Sequence, residues 1–178
     1  EDQRFPTWLQ AICWGLCSGN VAVMLAATWL GVAVAALAGS VLGLLYAHAG
    51  VSLREGGMEA VSALLTTLIV YAIHSAFPGM DTSTVIMSSL IVLMPGLALA
   101  ISVTELSTDH LASGSARLAG AMVTLLKLAL GVFLGTVIAA WLGWSTVESV
   151  LEIPRPPAWF LWPALVSASF GFAVLFSV

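Results

Sequence analysis

"MPGLALAISVTELSTDHLASGSARLAG", residues 94–120, decides how the whole chain is read. It opens as the middle of an apolar helix, places Pro95-Gly96 inside it, and runs on into Glu105, Asp109, His110 and Arg117. Proline removes a backbone hydrogen bond and clashes with the preceding turn, and the adjacent glycine loosens the backbone further. In lipid the freed carbonyls must be met by protein, water or ligand. The stretch therefore reads either as a packing kink or as a discontinuous helix whose exposed backbone groups hold a small zwitterion.

The surroundings require a membrane. Of 178 residues, 60% are hydrophobic and 8% charged, whereas a soluble domain carries roughly 25% charged residues. A net charge of -4, from nine acids and five bases, offers no basic face for nucleic acid. Cys13 and Cys17 are two cysteines four apart with no histidine in register, and they read as small packing residues rather than a disulfide framework. No nucleophile–base pair, metal-ligand spacing or phosphate loop is visible, so neither catalysis nor a cofactor is expected. The chain starts Glu-Asp-Gln-Arg, without Met or signal-peptide features, and reads as the inside of a longer protein.

At about 20 apolar residues per span, the hydrophobic runs divide into an all-α, polytopic membrane helix bundle. Spans are expected near 8–27, 30–48, 58–77, 82–104 and 115–142, with a sixth at 158–178. Asp81 is placed to cap the fourth. Arg4, Arg54 and Arg117 fall on one side and Arg155 on the other, which puts the N-terminus in the cytoplasm by the positive-inside rule. The sixth span resembles the first: "PTWLQAICWGLCSGNVAVML" (6–25) lies over "PAWFLWPALVSASFGFAVLF" (157–176) without a gap. Pro6/Pro157, Trp8/Trp159, Ser18/Ser169, Ala22/Ala173 and Val23/Val174 agree. Five spans (1–149) then form one repeat unit, and 150–178 holds a linker and the first helix of a second, inverted and truncated unit, a construction common among secondary transporters.

The polar residues inside this frame are the site candidates. Pro95 lies about 14 residues, roughly 20 Å, into the fourth span. Ser113-Gly114 reads as a helix start with Arg117 in its first turn, where a cation opposes the helix dipole and calls for an acidic partner, Glu105 or Asp109. Lys127 falls near the middle of the fifth span, where a charge costs several kcal/mol and is a functional hypothesis by default. It shares a face with Gly120, Thr124 and Gly131, and Gly131 with Gly135 forms a GxxxG pair suited to helix contact. Ser88, Ser89, Thr66 and Thr67 either line a polar path or bond back to their own helices. His74, Tyr71 and Asn20 read more simply as satisfied packing residues. With no acid at mid-membrane depth, proton coupling would fall to His74, or to an acid near a face such as Asp81 or Glu105.

The run from Met94 to Gly135 resembles the threonine/serine exporter family. The resemblance rests on Pro95, Gly96, Leu97, Glu105, Leu106, His110, Leu111, Ser113, Gly114, Ala116, Arg117, Leu118 and Gly120 at compatible spacing, followed by a glycine-rich helix. It implies an inner-membrane secondary exporter of small hydroxy amino acids, built from two related five-helix halves with a hydrophilic domain ahead of the first span. The expected function is therefore proton-coupled threonine/serine export. Pro95, Gly96, Lys127, Ser88, Ser89 and Thr124 would line the pathway; Glu105, Asp109, His110, Arg117, His74 and Asp81 would gate or couple it. The alternatives are a dicarboxylate (succinate-like) exporter subunit and a non-transporting membrane scaffold. The expected partners are the lipid bilayer, a small zwitterionic or anionic substrate, and a second five-helix half in the same chain or on a partner subunit, with a homo-oligomer left open.

Overall fold

The computed structural model describes residues 7–48, 57–144 and 155–176. Arg4, Arg54 and Glu55 lie outside the described residues, so the charge count that orients the chain is not addressed by it. All regular structure among the described residues is helical.

Helix α1 (Thr7–Met24) and helix α2 (Trp29–His48) form an antiparallel hairpin, the most extensive helix contact described. Small residues make this possible. A Cβ on Gly43 would lie 2.9 Å from the Ala11 Cα, and one on Gly19 would lie 3.1 Å from the Ala36 Cβ. Between helices in lipid, where burying apolar surface gives little drive, such close backbone approach supplies the attraction through packing. At the turn, the Thr28 hydroxyl accepts from the Gly31 N–H at 3.2 Å and donates to the Gly79 carbonyl at 3.4 Å. That single side chain ties this turn to the next one.

Helix α3 (Met58–Ala76) leads to that second turn, and helix α4 (Thr82–Leu90) leaves it. Asp81 is the N-cap of α4: it accepts from the Ser83 N–H at 3.1 Å and from the Thr84 hydroxyl. The 82–104 stretch is not one helix. After α4 comes a 3-10 turn (Ile91–Leu93); Met94 is extended, and helix α5 (Gly96–Ser107) begins again with Pro95 as its N-cap. The two pieces are bent by 63°. Proline with no N–H to donate is tolerated at a helix start but not inside one, so the chain restarts the helix there.

Helix α6 (Leu111–Trp141) is 31 residues long. It begins at Leu111, with His110 as N-cap, rather than at Ser113-Gly114. The turn before it is tight: Asp109 takes φ 61°, and the His110 N–H bonds the Glu105 carbonyl at 2.9 Å. Arg117 consequently lies past the first turn of the helix. After a 3-10 turn (Ala158–Phe160), helix α7 (Leu161–Phe176) packs on α1, with a Gly171 Cβ position 2.8 Å from the Cys17 Sγ. Cys13 and Cys17 are both buried free thiols.

The bundle has two ends. At one, Trp29 meets Phe160 edge-on at 5.1 Å, and Thr28 meets Gly79. The other holds His48 and the first turn of α3. The core between them is Val34, Leu42, Val70, Val85 and Leu128 with buried alanines. Among the described residues, three helices, α2, α3 and α6, are long and apolar enough to cross a membrane, and a fourth span results if α4 and α5 count as one bent crossing. Large apolar side chains that face outward, such as Leu37, Leu126, Phe133 and Trp141, suit a lipid surround.

Candidate functional site

Helices α3 and α6 run side by side in the same direction. Gly131 stands against Ala60 and Ala63, and Gly135 against Leu64 and Thr67, so both chains advance together. The Gly135 Cβ position would fall 2.7 Å from the Thr67 Cβ. The GxxxG pair thus packs against another helix, whereas Gly120, expected on the same face, meets nothing within 4 Å. The reason is length: α6 extends well beyond the first turn of α3, and Gly120 lies in that overhang.

This register sets the level of Lys127. The residue is central in α6, but it stands beside the first turn of α3, at the foot of the bundle. Its Nζ lies 3.6 Å from the Glu59 Oε2, with the two side chains 34% and 22% exposed. That distance is a charge contact longer than a hydrogen bond, and the Glu59 Oε2 is buried with no hydrogen-bond partner. Glu59 was not visible as a site residue in the sequence. The available signal was an acid at the start of a span; what pairs it with Lys127 is a parallel register that no local pattern encodes.

The same face of α3 carries a file of polar groups. Ser62, Thr66 and His74 are 1%, 1% and 6% exposed, and the Ser62 Oγ, Thr66 Oγ1 and His74 Nδ1 have no hydrogen-bond partner among the described residues. At 100° per residue these three and Glu59 fall within about 120° of arc, over roughly 22 Å of helix. Thr67, by contrast, bonds its own Ala63 carbonyl at 2.8 Å. On α1, the Asn20 Nδ2 is likewise buried without a partner. Buried polar groups are nearly always paired, so such a concentration sets this face of α3 apart from the rest of the core.

The remaining candidates separate into groups. Ser88 and Ser89 are fully buried and donate to the Val85 carbonyl at 3.0 and 2.7 Å; the Ser89 carbonyl accepts from the Ser18 hydroxyl at 3.3 Å. This stitches α4 to α1 just above the break. Thr124 donates to the Gly120 carbonyl at 3.3 Å, a bond within its own helix. Pro95 and Gly96 form the break itself, with the Gly96 N–H on the Met94 carbonyl at 2.8 Å. Since Ser89 is level with Ser18 in the middle of α1, the break falls toward the foot, the end that holds Lys127 and Glu59.

A second ionic contact occupies the α5–α6 hairpin. Arg117 Nη2 lies 3.3 Å from Glu105 Oε1, and the Glu105 Oε2 is buried without a hydrogen bond. Gly114 allows this closeness, because a Cβ there would lie 2.9 Å from the Leu106 Cγ. Asp109 and His110 do not join it. Asp109 is exposed in the left-handed turn, and His110 Nδ1 contacts the Thr108 carbonyl at 2.8 Å. Asp81 and His74 lie toward the opposite, Trp29, end of the bundle.

A multi-pass α-helical membrane protein with one helix broken inside the bundle and charged residues at its foot is the class this architecture defines. The family described as "Putative threonine/serine exporter" (ThrE) matches residues 1–139. The chain belongs to that family. It is also similar to "Pheromone-regulated membrane protein 10" of Eremothecium gossypii, 26% identical over 170 residues, covering 90% of this chain. The chain spans 22% of that relative's length. No solved structure matches it.

Proposed function

We propose that the protein is a secondary transporter that exports threonine and serine across the inner membrane, driven by protons, with its N-terminus in the cytoplasm. The observation that carries this reading is the restart of the helix at Pro95 in a member of an exporter family. A break leaves backbone groups unpaired at membrane depth, which lipid does not tolerate and a polar passenger does. Lys127 supplies a cation toward the same end for the substrate carboxylate, and the Glu105–Arg117 contact serves as a gate beyond it. His74, buried with a free Nδ1, is a candidate proton carrier.

The orientations of α1 and α7 support a second, inverted unit. Phe160, at the start of α7, meets Trp29 beyond the end of α1, while Gly171 meets Cys17 in the middle of α1. The first helices of the two similar segments, α1 and α7, therefore run in opposite directions, as two inverted halves require. The second half is expected in the same chain or on a partner subunit.

Counterflow in proteoliposomes tests the reading, with labelled threonine inside and serine, threonine, succinate or alanine outside. Exchange with serine and threonine, lost at least tenfold in Lys127→Met, is the expected outcome. Exchange with succinate alone would reassign the protein to dicarboxylates, and exchange with none would leave a scaffold role.

A further inference from the structure

We propose that Glu59 and Lys127 form an ionic latch at the foot of the polar face of α3, and that the carboxylate of the passenger opens it by taking Glu59's place on Lys127. The inference deepens the transport reading and rests on it only in requiring a passenger that bears a carboxylate.

Four features support a contact made to be exchanged. The contact is loose: at 3.6 Å it has charge attraction without a hydrogen bond, and the Glu59 Oε2 is otherwise unpartnered. A pair meant only to hold two helices together would gain from the shorter, hydrogen-bonded geometry that charged groups usually adopt. The contact is also reachable, with the lysine side chain 34% exposed.

Separation strands neither partner. Breaking an ion pair inside a protein is costly when one charge is left alone. Glu59, however, lies in the first turn of α3, where the helix dipole favours an anion. It keeps that stabilisation after Lys127 leaves. Lys127 exchanges one carboxylate for another, so it keeps a counter-charge in the opened state.

The latch also stands where a passenger needs it. Beyond Glu59 on the same face are Ser62, Thr66 and His74, each more than nine-tenths buried, with hydrogen-bonding atoms that the protein leaves unpaired. A passenger whose carboxylate rests on Lys127 directs its remaining donors and acceptors along this file. Packing of Gly131 and Gly135 against α3 holds Lys127 in register with Glu59.

The test uses ligand-induced shifts in melting temperature of the purified, detergent-solubilised protein, with threonine, serine, succinate and threonine amide as probes. Threonine amide keeps the hydroxyl and amine and lacks the carboxylate. At least one carboxylate probe should stabilise the wild type, while threonine amide should not. Lys127→Gln should abolish the shift, and Glu59→Gln should lower the half-saturating concentration several-fold by removing the competitor. Equal response to threonine and its amide, with Lys127→Gln unaffected, would overturn the latch and leave export of amino acids standing. A response to succinate alone that Lys127→Gln abolishes would keep the latch and remove the threonine/serine reading. Weakened binding in Glu59→Gln, or no shift with any carboxylate, would overturn the latch.

Discussion

Gly131 and Gly120 lie on the same helix, yet only Gly131 touches another one. A Cβ at Gly131 would run into the Ala60 carbonyl and come within 2.7 Å of the Ala63 Cβ. The obstruction is partly backbone, so relief requires α3 to move away from α6 and draws Glu59 from Lys127. Gly131→Ala is expected to destabilise the protein by about 1–3 kcal/mol, the usual range for overpacking. Gly120→Ala, which meets open space, should be neutral or stabilising by up to about 1 kcal/mol, because it removes backbone freedom from the unfolded chain. Thermal melting of the two variants side by side checks the contrast. From the sequence both glycines fall on one helical face, and periodicity alone treats them alike. What separates them is how far the neighbouring helix extends, a property of the assembled bundle.

At the scale of the element, the break between α4 and α5 was legible because Pro95-Gly96 is a local signal with a local cause. So was the cap at Asp81, whose side chain needs only its own next residues. The start of α6 was less legible: Ser113-Gly114 looks like a helix start, but the left-handed Asp109 completes a tighter turn and lets the helix begin at Leu111. The partner of Arg117 was within reach, since a short hairpin brings Glu105 opposite it. The partner of Lys127 was not, because Glu59 is distant in sequence and arrives through parallel packing. Replacing both residues of the break, Pro95→Ala with Gly96→Leu, removes the steric reason for it. Melting temperature should hold, because Pro95 stands at the start of α5 and not in a helix interior, so its missing N–H costs no helical hydrogen bond there. Transport of threonine should fall at least tenfold in the same preparation. Unchanged transport would make the break a packing kink.

For the whole molecule, the informative contact is between the first and last helices. Gly171 lies so near the Cys17 thiol that a side chain placed there would touch it. In a Cys13→Ser background, Gly171→Cys should therefore form a disulfide with Cys17 on mild oxidation, given the short separations such a bond demands. Loss of two mass units in the intact protein, reversed by reduction, is the expected reading. Cross-linking only between separate molecules would mean that α7 belongs against a neighbour's α1. The similarity of residues 6–25 to 157–176 gave notice of a relation between these helices, but not that they would touch.

Finally, α6 is too long for the company it keeps. The 19 residues of α3 rise about 28 Å, close to the thickness of a hydrocarbon core, whereas the 31 of α6 rise about 46 Å. With Lys127 beside the first turn of α3, it carries about sixteen residues, Leu111 to Leu126 with Arg117 among them, past the level where its neighbour starts. Hydrophobic mismatch of this size is absorbed by tilting or by local deformation of the bilayer. The depth at which Arg117 and Glu105 meet water is thereby set by the lipids as well as by the fold, and the thickness of the host membrane becomes one of the variables in this protein's energy.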